Sequence, residues 1–200
     1  MTDPSLATSA DYADALLVAR RAKHVLFLLI LLMLLLQVGL FFLARYSDLA
    51  VARLNPTTAP TTQPAGREFL HYVSGVVLFL GTVLPILLSL VLLLIVHIML
   101  VGRLIGVARV TSAFLWCLLL LLLMFPWQVF FGASTDPNDF RVPGVLYTWT
   151  DLRTRAKFES GDMARQALTW ARFCVMPLVA TVLLLVVQIK SNRGLRQALG

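Results

Sequence analysis

Apolar residues in this chain fall into long uninterrupted runs rather than the short periodic patches of a water-soluble fold. The longest extends from Phe69 to Gly102, and no charged residue occurs between Glu68 and Arg103. As a helix this run is about 50 Å long, more than the roughly 30 Å of hydrocarbon in a bilayer. Only the basic turn Arg103–Arg109 separates it from the next run, Val110 to Ser134. Two helices joined this tightly are predicted to lie antiparallel, with the turn at one membrane face. An earlier run, His24 to Ala44, has Gln37 as its only strongly polar interior residue, and a last, shorter one covers Phe173 to Ile189. The pattern predicts an all-α fold, an integral membrane bundle of four transmembrane helices. Spans are expected near 24–44, 69–100, 110–131 and 172–190, all within a four-helix domain over 24–200.

The intervening segments read as connections. Residues 1–23 form a cytoplasmic N-terminal lead-in, in which Ser9 or Asp11 is placed to cap a short surface helix running into the first span. This start resembles a secretory signal, but its apolar region exceeds the usual length of about 7–15 residues, so it reads as an uncleaved anchor. The outer loop 45–68 carries Asn55–Pro64, where Pro56, Pro60 and Pro64 among threonines favour an extended, solvated chain. In the outer loop 132–171, Asp136–Asp139 and Pro143-Gly144 read as turns, with a surface helix expected from about Thr150 to Glu159. Pro126 should end the third span, beside the interfacial Trp127.

Composition agrees with a membrane setting: 59% of the residues are hydrophobic and 14% charged. The net charge of +7 does not indicate nucleic acid, because the basic residues form no block. They sit at the ends of apolar runs, where Lys and Arg set orientation and meet anionic headgroups. Four spans place both termini and the Arg103–Arg109 turn on one face. That face gathers Arg20, Arg21, Lys23, Arg103, Arg109, Lys190, Arg193 and Arg196 against Asp3, Asp11 and Asp14. This density of positive charge beside the spans assigns it to the cytoplasm, in a cell (inner) membrane. The aromatic residues are then lopsided. Phe41, Phe42, Tyr46, Phe69, Tyr72, Trp127, Tyr147, Trp149 and Trp170 all fall at or beyond the outer interface, whereas Trp116 is the lone Trp toward the inner side. The excess suggests that the long outer loop folds onto the membrane.

Candidate chemistry is sparse. In the second span Gly75, Thr82 and Ser89 recur every seven residues, with Ser74 and Gly81 as a parallel pair, which favours close helix packing. Pro85 lies in the same region and removes a helical donor. The packing of a long tilted helix accounts for these residues; the sharper alternative is a gate or substrate pocket at Pro85. His71 and His97 lie on the order of 39 Å apart along one helix and cannot share a centre. His24 and His97 fall on the same side, where a bis-histidine haem is sterically conceivable, but no haem motif accompanies them and no cofactor or metal is expected. No Asp, Glu, Lys or Arg lies inside a span, which weakens proton-coupled transport. Cys117 and Cys174 are placed toward opposite faces and should not pair. No catalytic motif is present, and Asp151, Glu159, Ser160, Asp162 and Arg165 read as ordinary residues of a solvated loop. The expectation is a non-enzymatic interaction or assembly component. Its partners are the lipid bilayer and another membrane protein or a second copy of the chain. The alternative is a small transporter or channel component built around Pro85.

Overall fold

A computed structural model describes residues 4–46, 65–127, 144–149, 152 and 163–198, with side chains from Tyr12 in the first helix, from Phe69 in the second, and not at 164 and 165. The described residues are mostly helical, with no strand among them. Helix α1 is Pro4–Tyr46, α2 is Ala65–Val101 and α3 is Val107–Met124. Helix α4, Met163–Trp170, continues through a π-helical turn, Ala171–Val175, into α5, Met176–Ala198. Tyr12–Tyr46, Phe69–Val101, Val107–Met124 and Gln166–Ala198 are each long and apolar enough to cross a membrane. The fold is thus that of a membrane protein. The Asn55–Pro64 stretch, the Asp136–Asp139 turn, the Thr150–Glu159 helix apart from Leu152, and the group Asp151, Glu159, Ser160 and Asp162 lie outside the described residues.

Helix α1 starts at Pro4, where a missing N–H costs nothing, and runs unbroken through Lys23 into the apolar segment. Ser9 and Asp11 therefore lie within the helix and do not cap it. The lead-in and the first span are one element of 43 residues. Helix α2 packs on α1, α3 on α2 and α5 on α3, and α5 returns to α1 to close the ring. Leu28, Leu32, Leu35, Phe79, Leu90, Leu94, Leu115 and Leu119 point outward and stay exposed, as suits a surface solvated by lipid tails.

The turn between α2 and α3 is made by backbone geometry. Leu104 N–H donates to Met99 at 2.9 Å and Gly102 N–H to Ile98 at 2.9 Å, closing the end of α2. Arg103 (φ 50°) and Gly106 (φ 99°) take left-handed conformations. Gly106 has a second constraint, because a Cβ there would lie 2.7 Å from the carbonyl oxygen of Gly194. A Cβ on Gly194 would in turn meet Val110 Cγ2 at 2.6 Å. At this end of the bundle α3 and α5 touch backbone to backbone.

Helix α3 stops at Met124, short of the 131 expected for the third span. Phe125 is extended (φ −65°, ψ 135°) because the following Pro126 disfavours the helical conformation before it. With 18 residues α3 is about 27 Å long, half the roughly 56 Å of α2. The half of the bundle away from the basic turn therefore lacks its fourth helical wall. Residues 144–149 and 152 fill that space.

Candidate functional site

The filling segment is not helical at its start, so its backbone needs partners away from water. Gln37 supplies one: its Nε2 donates to the Val145 carbonyl at 2.8 Å. Val145 N–H reaches the Leu123 carbonyl at 3.4 Å, in the last turn of α3. The Tyr147 hydroxyl donates to the backbone carbonyl of Gln37. The lone polar residue of the first apolar run, itself 2% exposed, thus ties an incoming strand of chain to α1 at both its side chain and its backbone. Val145, Leu146, Tyr147, Trp149 and Leu152 are all buried.

Gly81 receives Leu146. A Cβ at Gly81 would sit 2.7 Å from Leu146 Cδ2 and 3.3 Å from Cδ1, so the missing side chain of α2 is the seat for a side chain of the inserted segment. Pro85 is buried one turn further along, and α2 remains helical through it. Because Pro85 has no N–H, the carbonyl it would normally engage is that of Gly81, at the same seat.

The other wall is aromatic. Phe41 and Phe173 stack at 5.0 Å with 9° between their planes, and Tyr147 meets Phe173 edge-on at 4.8 Å. Trp170 adds an edge contact to Phe41 at 5.5 Å. Phe173 and Arg172 are both buried within the π-helical turn Ala171–Val175, and the Arg172 guanidinium lies 5.5 Å from the Phe173 ring centre. The turn has a local cause: Pro177 cannot donate to the carbonyl of Phe173, and the register relaxes to the i+5 bond from Met176 N–H to Ala171.

The residues singled out along α2 separate. Gly81, Pro85 and Ser89 face the interior, whereas Gly75 is exposed and a Cβ there would meet nothing within 4 Å. The hydroxyls of Thr82 and Ser89 bond back into their own helix, to Leu78 at 2.9 Å and Ile86 at 2.7 Å. The partner of the small-residue row is a loop segment as well as a helix, and this the pattern of α2 alone did not disclose. The signal that pointed there was Gln37, a single amide in an apolar run that needs a buried partner.

A second polar group lies at the opposite end. Lys23 is fully buried, and its Nζ donates to Ser191 Oγ at 2.8 Å and Asn192 Oδ1 at 2.5 Å on α5. In the sequence it reads as a headgroup anchor; in the fold it fastens α1 to α5. His24 Nδ1 lies 2.8 Å from the Arg20 carbonyl, and His97 is exposed on α2. Cys117 and Cys174 are free thiols. Among the described residues no three His, Cys, Asp or Glu side chains cluster to hold a metal. The fold and this site define a membrane protein of four apolar helices, one short and completed by an inserted segment. No known protein family, curated protein or solved structure matches the chain.

Proposed function

We propose that the chain is a multi-pass protein of the cytoplasmic membrane, with both termini in the cytoplasm, acting as a non-enzymatic interaction or assembly component. One observation carries this reading: the buried amide of Gln37 and the buried ammonium of Lys23 are both bonded within the bundle. Gln37 is committed to Val145 and Tyr147, and Lys23 to Ser191 and Asn192. Leu146 occupies the seat at Gly81, beside Pro85, where a gate or substrate pocket would otherwise have to open. Such an interior serves to hold a shape, and contact with other membrane components falls to the outer surface, including Gly75, Tyr72 and Phe79 on α2. Orientation is supported by the basic residues, since the packing of Lys23 on Ser191 and of Gly106 on Gly194 gathers residues 20–23, 103–109 and 190–196 at one end.

Native mass spectrometry on protein extracted gently from its own membrane tests this. A second polypeptide in fixed ratio, or a defined homo-oligomer, is the expected result. A monomer whose reconstituted vesicles pass a solute, with the flux abolished by Gly81→Leu or Pro85→Leu, would replace this reading with the transporter one.

A further inference from the structure

The flank of the bundle between α3 and α5, at the basic-turn end, carries cations for which neither helix supplies a carboxylate. Lys190 Nζ donates to Ser112 Oγ at 2.8 Å and lies 5.4 Å from the centre of the Trp116 ring. This pair fixes which sides of the two helices face each other. One turn nearer the helix ends, Arg109 on α3 and Arg193 on α5 follow on the same flanks, by the three-residue spacing from Ser112 and Lys190. Both arginines are exposed, and Trp116 is 38% exposed. No Asp or Glu occurs between Phe69 and Thr135 or after Asp162, so neither helix supplies a carboxylate. Asp14, the one carboxylate among the described side chains, is on α1. That helix meets α5 on its other flank, through Lys23 and Ser191.

We propose that Arg109, Lys190 and Arg193, with Ser112 and Trp116, bind the phosphate of an anionic phospholipid headgroup. The chemistry fits in three ways. An ammonium has three donors, and the bond to Ser112 uses one of them while orienting the group. Guanidinium forks at Arg109 and Arg193 match phosphate oxygens. The Trp116 ring stands beside the Lys190 ammonium, and Leu119, exposed further along α3, is placed to meet acyl chains. The site's depth is that of a lipid phosphate at the end of apolar helices, which selects a lipid over a free anion.

The test is native mass spectrometry of the full chain in detergent with equal amounts of dioleoyl phosphatidylglycerol and dioleoyl phosphatidylcholine. The wild type should retain phosphatidylglycerol preferentially. Each basic residue near the surface is worth about fivefold, so Arg109→Gln/Lys190→Met/Arg193→Gln should weaken retention about a hundredfold. Lys190→Met also breaks the bond to Ser112, so Arg109→Gln/Arg193→Gln serves as a second variant that leaves that bond in place. It should lose about twenty-five-fold. Arg20→Gln/Arg21→Gln, on α1, should keep the wild-type preference. Equal retention of the two lipids by the wild type, or wild-type preference in the double variant, would overturn the proposal. So would displacement of phosphatidylglycerol by millimolar inorganic phosphate.

Discussion

The seat of Leu146 on Gly81 makes a prediction with a definite sign. Leu146→Ala removes Cγ, Cδ1 and Cδ2, the three atoms closest to where a Gly81 Cβ would lie, at 3.6, 3.3 and 2.7 Å. Leu146 is 2% exposed, and truncating a buried leucine costs about 2–5 kcal/mol, depending on how far the site collapses. Gly81→Ala forces its methyl into contact with Leu146 Cδ2, and overpacking of this kind costs about 1–3 kcal/mol. Combined, the two changes relieve each other: the alanine methyl enters the space that the leucine vacates. The double variant should therefore be more stable than the sum of the single effects by about 1–2 kcal/mol, within the range for residues in contact. Equilibrium unfolding of the detergent-solubilised protein by increasing SDS mole fraction, followed by tryptophan fluorescence, measures all four corners of the cycle. Additivity to within about 0.5 kcal/mol would refute the reasoning, because it would mean that the inserted segment does not occupy the face of α2 at Gly81.

Other consequences follow from the same packing. Gln37→Leu leaves the Val145 carbonyl buried without its donor and should cost about 1–3 kcal/mol in the same unfolding assay, whereas Tyr147→Phe, which removes one neutral hydrogen bond, should cost about 1 kcal/mol. Gly194→Ala places a methyl 2.6 Å from Val110 Cγ2 and 3.2 Å from the Gly106 carbonyl oxygen. Since backbone yields less readily than a side-chain tip, the loss should exceed that of Gly81→Ala, read as a larger drop in unfolding midpoint. In intact cells of a cysteine-free background, Thr61→Cys should react with an impermeant thiol reagent from outside and Arg196→Cys should not; the reverse pattern would invert the proposed orientation.

Much of this fold is legible from run length alone. A helix in lipid satisfies its own backbone, so long apolar runs bounded by charge and proline identify the spans whatever their neighbours do. The turn after Gly102 and the stop at Pro126 were readable for the same local reason. What local pattern could not reach were the long-range pairings. Lys23 at the mouth of an apolar run looks the same whether it meets a headgroup or Ser191, which is far away in the chain. Val145 to Trp149, following Pro143-Gly144, is too short for a span and reads as loop. The amide of Gln37 and the absent side chain of Gly81, on two different helices, are where it enters the bundle. The seven-residue spacing of Gly75, Thr82 and Ser89 suggested one shared face. The fold divides it, because Ser89 turns inward while Gly75 looks out.

The proposal that this chain works by contact rests on a bundle closed by its own inserted segment, and accessibility at position 146 tests that most directly. In a variant with Cys117 and Cys174 replaced by serine, Leu146→Cys should resist an impermeant thiol reagent in native membranes and react once SDS unfolds the protein. Native labelling of Leu146→Cys as fast as that of Thr61→Cys would contradict it, by showing that the segment lies in water and that the far half of the bundle is open.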